Sequence, residues 1–220
     1  MTKTTTIFIT LVAMGLGAIH AAEAHISFAA NNAYAGSSYI ATANIPHGCA
    51  DANGVKHDTT KVEIAIPAEF TSVRPQDTAF GSATVEKDSN GNVIKLIWTR
   101  TATTLSEDAN FYQVTFRGTL PDAPLTTLEF VTTQTCEGNT TKSWEGAEVP
   151  KLRILPTRTP GWNKYTAQAD IDEATIKAFF GDAYIVWSNG AAYSANPVTA
   201  GLITNTLTTI PLGAEFWVKY

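Results

Sequence analysis

The chain has 220 residues and a formal net charge of −5, from 15 Lys and Arg against 20 Asp and Glu, with 44% hydrophobic residues. Its charges are scattered and acidic on balance, which excludes the basic stripe of a nucleic-acid binder. No stretch beyond the first 24 residues is apolar enough to cross a bilayer as a helix.

The first two dozen residues read as a targeting segment. Met1 to Thr6 is polar with one cation, Lys3; Ile7 to Ile19 is apolar apart from Thr10; Ala22-Glu23-Ala24 then places small residues at the two positions a signal peptidase reads. The apolar run is shorter than the ~20 residues of a permanent span. The expectation is a signal peptide over 1–24 and a mature chain that begins at His25 and resides in the periplasm or outside the cell, with no permanent membrane span. Cleavage after Ala21 or Ala22, and a buried N-terminal helix, are the competing readings. Lys3 and Glu23 leave together, so the mature charge is unchanged.

Short strands follow. His25 to Phe28 forms the first, and Tyr39 to Ile45 alternates and stops at Pro46. Lys61 to Ile66 sets Val62, Ile64 and Ile66 on one face. Ala83 to Lys87 and Val93 to Thr99 flank Asn90-Gly91, a hairpin signal because that pair suits positive φ. Phe111 to Arg117 alternates, Leu125 to Thr135 reads as one long Thr- and Val-rich strand, and Leu152 to Leu155 is the last. Short strands between turns indicate an antiparallel β-sandwich over 25–155.

Residues 156–160 form a Pro-rich linker, and 161–220 read as a small α+β appendage. There Asp170 is placed to cap a helix from Ile171 to Phe180 with Ile171, Ala174, Ile176 and Phe179 on one side. Tyr184 to Trp187 and Ala191 to Ser194 form a hairpin around Asn189-Gly190, and Glu215 to Tyr220 is a closing strand. The aromatics Trp162, Tyr165, Trp187, Tyr193 and Trp217 are read as core.

Both cysteines, Cys49 and Cys136, lie in the mature part, and in an oxidising compartment they favour a disulfide. A pair of thiolate metal ligands is the alternative. Three histidines remain after cleavage: His25, His47 and His57, and His57 reads as an exposed loop residue. A histidine at a free N-terminus can close a chelate ring on one metal through its α-amine and Nδ1. An α-amine with an ordinary pKa of about 7.7–8.0 yields its proton to a strongly binding ion near neutral pH. Nitrogen donors in a plane suit Cu(II), which heads the divalent affinity series, with zinc or nickel next. Both methionines fall in the signal segment, which leaves no Met-rich Cu(I) site.

The run Ala24-His25-Ile26-Ser27-Phe28, the stretch Ile45-Pro46-His47-Gly48-Cys49, Thr60 to Pro67, Val73-Arg74-Pro75, Ile97-Trp98, Phe116-Arg117-Gly118 and Gln134-Thr135-Cys136-Glu137 followed by Trp144 resemble the YcnI-like domain family over about residues 24–155. The resemblance implies a secreted immunoglobulin- or fibronectin-like β-sandwich that binds copper through its processed N-terminal histidine. On that basis His25 matches the brace histidine and Trp144 the tryptophan near the metal. Where some relatives use a glutamate after the second strand, this chain has His47, the candidate further ligand; Glu137 offers an oxygen beside the bridge, or is a solvated turn residue.

Three functions follow as expectations. The first is a periplasmic protein that stores, delivers or buffers copper, possessing no enzymatic activity and working with another copper-handling protein. The second is a copper-dependent monooxygenase using His25 and His47. The third is a metal-free structural or adhesion module. No nucleophile elbow, HExxH or CxxC pattern is present. The adjacent pair Glu107-Asp108 is not read as an acid/base couple.

Overall fold

The computed structural model describes residues 25–100 and 110–220. The expected signal segment 1–24 and the Glu107-Asp108 pair lie outside the described residues. The remainder is mainly β, an antiparallel β-sandwich followed by a small α+β unit.

One sandwich sheet orders its strands Ser27–Phe28, Ser38–Ile45, Tyr112–Thr119 and Thr71–Gln76; the facing sheet runs Thr141–Trp144, Thr132–Cys136, Thr59–Ala65, Val93–Arg100 and Gly81–Lys87. All these pairings are antiparallel. A third sheet closes one side: Thr126–Glu129 pairs antiparallel with Lys151–Leu155, which pairs parallel with Asn32–Tyr34.

Alternation does the sorting. Ala41, Ala43 and Ile45 point inward from one sheet and Val62, Ile64, Leu96 and Trp98 from the other, all fully buried. Between them Phe116 meets Trp98 at 6.1 Å and Phe130 at 5.9 Å between ring centres, in the offset arrangements aromatic pairs prefer.

The segment from Leu125 to Thr135 is not one strand. Thr126–Glu129 and Thr132–Cys136 belong to different sheets, and the chain changes sheet at Phe130, whose N–H donates to the Pro150 carbonyl at 2.9 Å. Phe130 is fully buried against Phe28, Phe70 and Phe116. The break is tertiary: no Gly or Pro marks it, and burial of one ring outweighs the local strand preference.

A buried charge cluster ties the sheets at one end. The Asp58 carboxylate, without solvent exposure, accepts from Arg100 and from the Tyr112 hydroxyl at 2.9 Å. Burial is the main influence that pushes the Tyr112 phenol above its ordinary pKa.

The C-terminal unit has its own core, formed by Ile171, Ile176, Phe179, Phe180, Val186, Phe216 and Val218 among others, with Leu125 and Leu155 of the sandwich packed against it. Its four-stranded sheet runs Trp162–Thr166, Glu215–Lys219, Ile185–Ser188 and Ala191–Tyr193. The hairpin between Ile185–Ser188 and Ala191–Tyr193 turns on Asn189 and Gly190, at φ 46° and 80°, the positive pair a tight type I′ turn demands.

The helix is shorter than expected, Glu173–Phe179, and Asp172 rather than Asp170 caps it, accepting from the Thr175 N–H at 2.8 Å. Asp170 instead accepts from the Leu212 N–H at 2.8 Å, and Ile171–Asp172 pairs with Thr209–Ile210. Ile171, Ile176 and Phe179 are buried, whereas Ala174 faces out. The linker is held in place by Arg158, which pairs with Asp182 at 2.6 Å and lies 4.2 Å from the Tyr220 ring centre.

The reading of the tail aromatics as core is corrected for its three tryptophans. Trp162, Trp187 and Trp217 are 52%, 42% and 36% exposed, because strand alternation turns them to the face opposite Phe216, Val218 and Val186. Tyr165 and Tyr193 are half-buried against the core, as expected.

Candidate metal centre

His25 enters the fold through its neighbours. Ile26 is 1% exposed and Phe28 7%, and Ser27 and Phe28 pair with Asn44 and Ala43. These anchors leave the His25 side chain at the surface, with its ring edge-on to Trp144, 5.4 Å between centres. Its Nδ1 lies 3.8 Å from Oε1 of Glu148. The other carboxylate oxygen, Oε2, holds the Lys142 ammonium at 3.1 Å, and that ammonium also lies 4.9 Å from the Trp144 ring centre.

Trp144 forms the floor. It ends the Thr141–Trp144 strand, opposite Thr132, and is 1% exposed. His47 also lies against it, 6.4 Å between ring centres, with Nδ1 turned to the neighbouring Gly48 carbonyl at 2.6 Å. That leaves Nε2 as the His47 nitrogen open to other partners.

One buried side chain joins these parts. Gln134 is fully buried; its amide NH₂ donates to the His47 carbonyl at 2.6 Å and to the Thr59 hydroxyl at 2.7 Å, and its amide oxygen accepts from the Trp144 indole N–H at 3.2 Å. The Cys49–Cys136 disulfide lies on the same strand end and pins the chain two residues past His47. Replacing Gln134 by Leu orphans a buried indole N–H and a carbonyl. We expect the loss of about 2 kcal/mol of stability, read by denaturant unfolding followed through tryptophan fluorescence.

The structure thus brings together His25, His47 and Trp144. Glu137 stands apart: it is exposed in the one-turn helix Glu137–Asn139, and its backbone N–H donates to the Asp58 carbonyl at 2.9 Å. The carboxylate beside His25 is Glu148, in the turn Gly146–Glu148, which the motif reading did not single out. Its signal was the acidic residue after the Gly146 turn that follows Trp144. Gln134 heads a motif that carries the family resemblance, but its own role had no signal, since a Gln in a Thr-rich strand looks like an ordinary surface residue. His57 is also not a free loop residue: it is half-buried on the short strand Lys56–His57, 3.3 Å from Asp51. The N–H groups of Val55 and Asn53, with His57, hold the Asp51 carboxyl below its ordinary pKa.

Among the described residues no group of three or more His, Cys, Asp or Glu side chains stands ready-made for a metal, and no helix is long and apolar enough to cross a membrane.

Residues 25–153, more than half of the chain, match the model of a domain of unknown function, DUF1775. The chain belongs to the DUF1775 family. This is the same family as the YcnI-like motifs indicate, and its match begins at His25. Among solved structures, an uncharacterized protein from Nocardia farcinica described as having an immunoglobulin-like fold aligns at 20% identity and TM-score 0.49, over 60% of this chain and 98% of that one. A cohesin module of a Clostridium perfringens family 33 glycoside hydrolase aligns at 12% identity and TM-score 0.35, over 60% and 98% of the two chains. The seventh ScaB type I cohesin of Pseudobacteroides cellulosolvens aligns at 10% identity and TM-score 0.31, over 60% and 86%. No curated protein matches the chain. The DUF1775 segment ends two residues before the sandwich's last strand does, so the C-terminal unit lies outside the family match.

Proposed function

We propose that this DUF1775 protein is exported, processed to begin at His25, and binds Cu(II) as cargo for storage, delivery or buffering in the periplasm or outside the cell. Its proposed role is binding rather than catalysis, and its proposed partner is a second copper-handling protein. One observation carries the reading: His25 Nδ1, the ring nitrogen that chelates together with an N-terminal amine, is the atom that faces Glu148.

The donors fit the ion in kind. An amine and an imidazole nitrogen are the ligands Cu(II) prefers, and one carboxylate oxygen adds neutralising charge. Glu148 is partly committed to Lys142, so a bound ion competes with that ammonium for the carboxylate. His47 also packs against Trp144, and with its Nδ1 at the Gly48 carbonyl the nitrogen it would offer as a further ligand is Nε2. The formed disulfide and the match that begins at His25 support the export part of the reading.

Cu(II) titration of protein that begins at His25, followed by electron paramagnetic resonance, tests the proposal. One equivalent is expected to give an axial signal with nitrogen hyperfine structure, lost in His25→Ala. Absence of any stoichiometric signal sinks it. Glu148→Gln is expected to weaken Cu(II) binding by about 10-fold, the low end for a group that touches or orients a metal site, measured by competition against a chromophoric chelator.

A further inference from the structure

The C-terminal sheet carries an unusual surface. Trp162, Trp217 and Trp187 lie on three neighbouring strands, on the face turned from the core, and line one shallow open depression. Trp187 is directly opposite Trp217, while Trp162 is diagonal to it, since Trp217 pairs with Lys164. Sheet spacings put about 5 Å across the direct pair and 7–8 Å across the diagonal one, so the three positions form a diagonal row across the sheet.

Tryptophan is among the most buried residue types on average, and three exposed on one face of so small a unit are not needed by its core, which the opposite face completes with Phe216, Val218 and Val186. A second depression shares Trp187 and Trp217 with the first, and adds Asn189, Thr209 and Glu215 at its edge. The ligand that suits both has flat apolar faces and a dense fringe of hydroxyl groups.

Size and charge narrow the class. At up to about 250 Å² per aromatic side chain, the exposed indole surface is about 300 Å², well under the ~800 Å² per partner of a stable protein–protein interface. Lys164 is paired with Glu215 at 2.6 Å, and Lys219, opposite Trp162, lies 5.2 Å from the Tyr184 ring centre; the face carries one cation beyond its acidic partner, too little charge to hold an anionic membrane. A row that crosses three strands on an open face, rather than an enclosed groove, suits an extended ribbon-like chain over a coiled one.

We propose that this tryptophan row is a binding platform for a linear β-linked polysaccharide. The pyranose C–H faces stack on Trp217 and its two neighbours, and the ring hydroxyls bond to Glu215, Asn189 and Lys164. The platform is separate from the His25 site and does not depend on metal.

The test is calorimetric titration of the whole protein from His25 onward with cellohexaose, chitohexaose and xylohexaose, with co-sedimentation on phosphatidylglycerol vesicles in parallel. At least one hexasaccharide is expected to bind and quench tryptophan fluorescence. Trp217→Ala is expected to weaken that binding about 10-fold or more, and Trp162→Ala and Trp187→Ala by smaller factors. Thermal melts of the three variants, all at surface positions, are expected to match the parent. Binding to none of the three sugars, binding that Trp217→Ala leaves unchanged, or Trp-dependent binding to vesicles in place of sugar would each overturn the proposal.

Discussion

Placing a single alanine ahead of His25 is expected to lower Cu(II) affinity by at least about 100-fold while leaving the melting temperature unchanged. The extension keeps every side chain of the site but moves the α-amine away and turns the His25 nitrogen into an amide, which cannot act as a neutral amine donor. Loss of a group that only orients a ligand costs about 10–100-fold, so loss of half of a chelate exceeds that. The fold is indifferent, because the His25 side chain is 46% exposed and the anchoring is done by Ile26 and Phe28. Competition titrations of the two proteins, with electron paramagnetic resonance to count nitrogens, read the difference. Equal affinities would falsify the N-terminal chelate.

Exchanging Cys49 and Cys136 together for serine is expected to cost about 4–5 kcal/mol. The bridge joins residues 87 apart in sequence, and the chain-entropy model assigns about that stabilisation to a loop of this length. For a chain of this size it corresponds to a fall of roughly 10–18 °C in Tm, measured by calorimetry or by circular dichroism with and without reductant. A fall of under about 3 °C would mean that the Asp58–Arg100–Tyr112 cluster and the ladder from Thr132 to Thr59 close the loop unaided. Because the bridge begins two residues after His47, the variant also frees the chain that Gln134 holds beneath Trp144.

The sandwich was largely legible from alternation. Val62, Ile64 and Ile66 are buried on one face as the period of two requires, and the Asn90-Gly91 and Asn189-Gly190 turns join the strand pairs they announced. The cysteine pair forms the expected disulfide. What escaped were decisions taken by tertiary packing. Phe130 breaks a locally uniform strand because a ring-sized space lies between the sheets, and Asp172 takes the cap from Asp170 because Ile171 pairs with Ile210. The tail tryptophans look like core by residue type, and only strand register reveals which face they occupy.

At the candidate site the motif order was enough to bring out His25, His47 and Trp144. Glu148 and the role of Gln134 were not singled out, for different reasons. Glu148 is four residues past Trp144, but the Gly146–Glu148 turn brings its carboxylate within 3.8 Å of His25. Gln134 acts through three simultaneous hydrogen bonds, and a residue's valency in a network leaves no trace in one sequence.

Ile26 gives the site an unusual dependence on counting. Its buried side chain and the pairing of Ser27 with Asn44 clamp the strand in one register, and a slip of one residue would turn every side chain to the wrong face. The spatial address of position 25 is therefore set by the fold, whereas in the proposed processing the identity of the first residue is set by a peptidase that never meets the folded protein. Insertions or deletions between the peptidase's target and Ile26 have no buffer: a single codon in either direction abolishes the proposed ligand while leaving expression, solubility of the sandwich core and stability intact. Loss of this function in a descendant of the chain would thus be silent in every measure of folding.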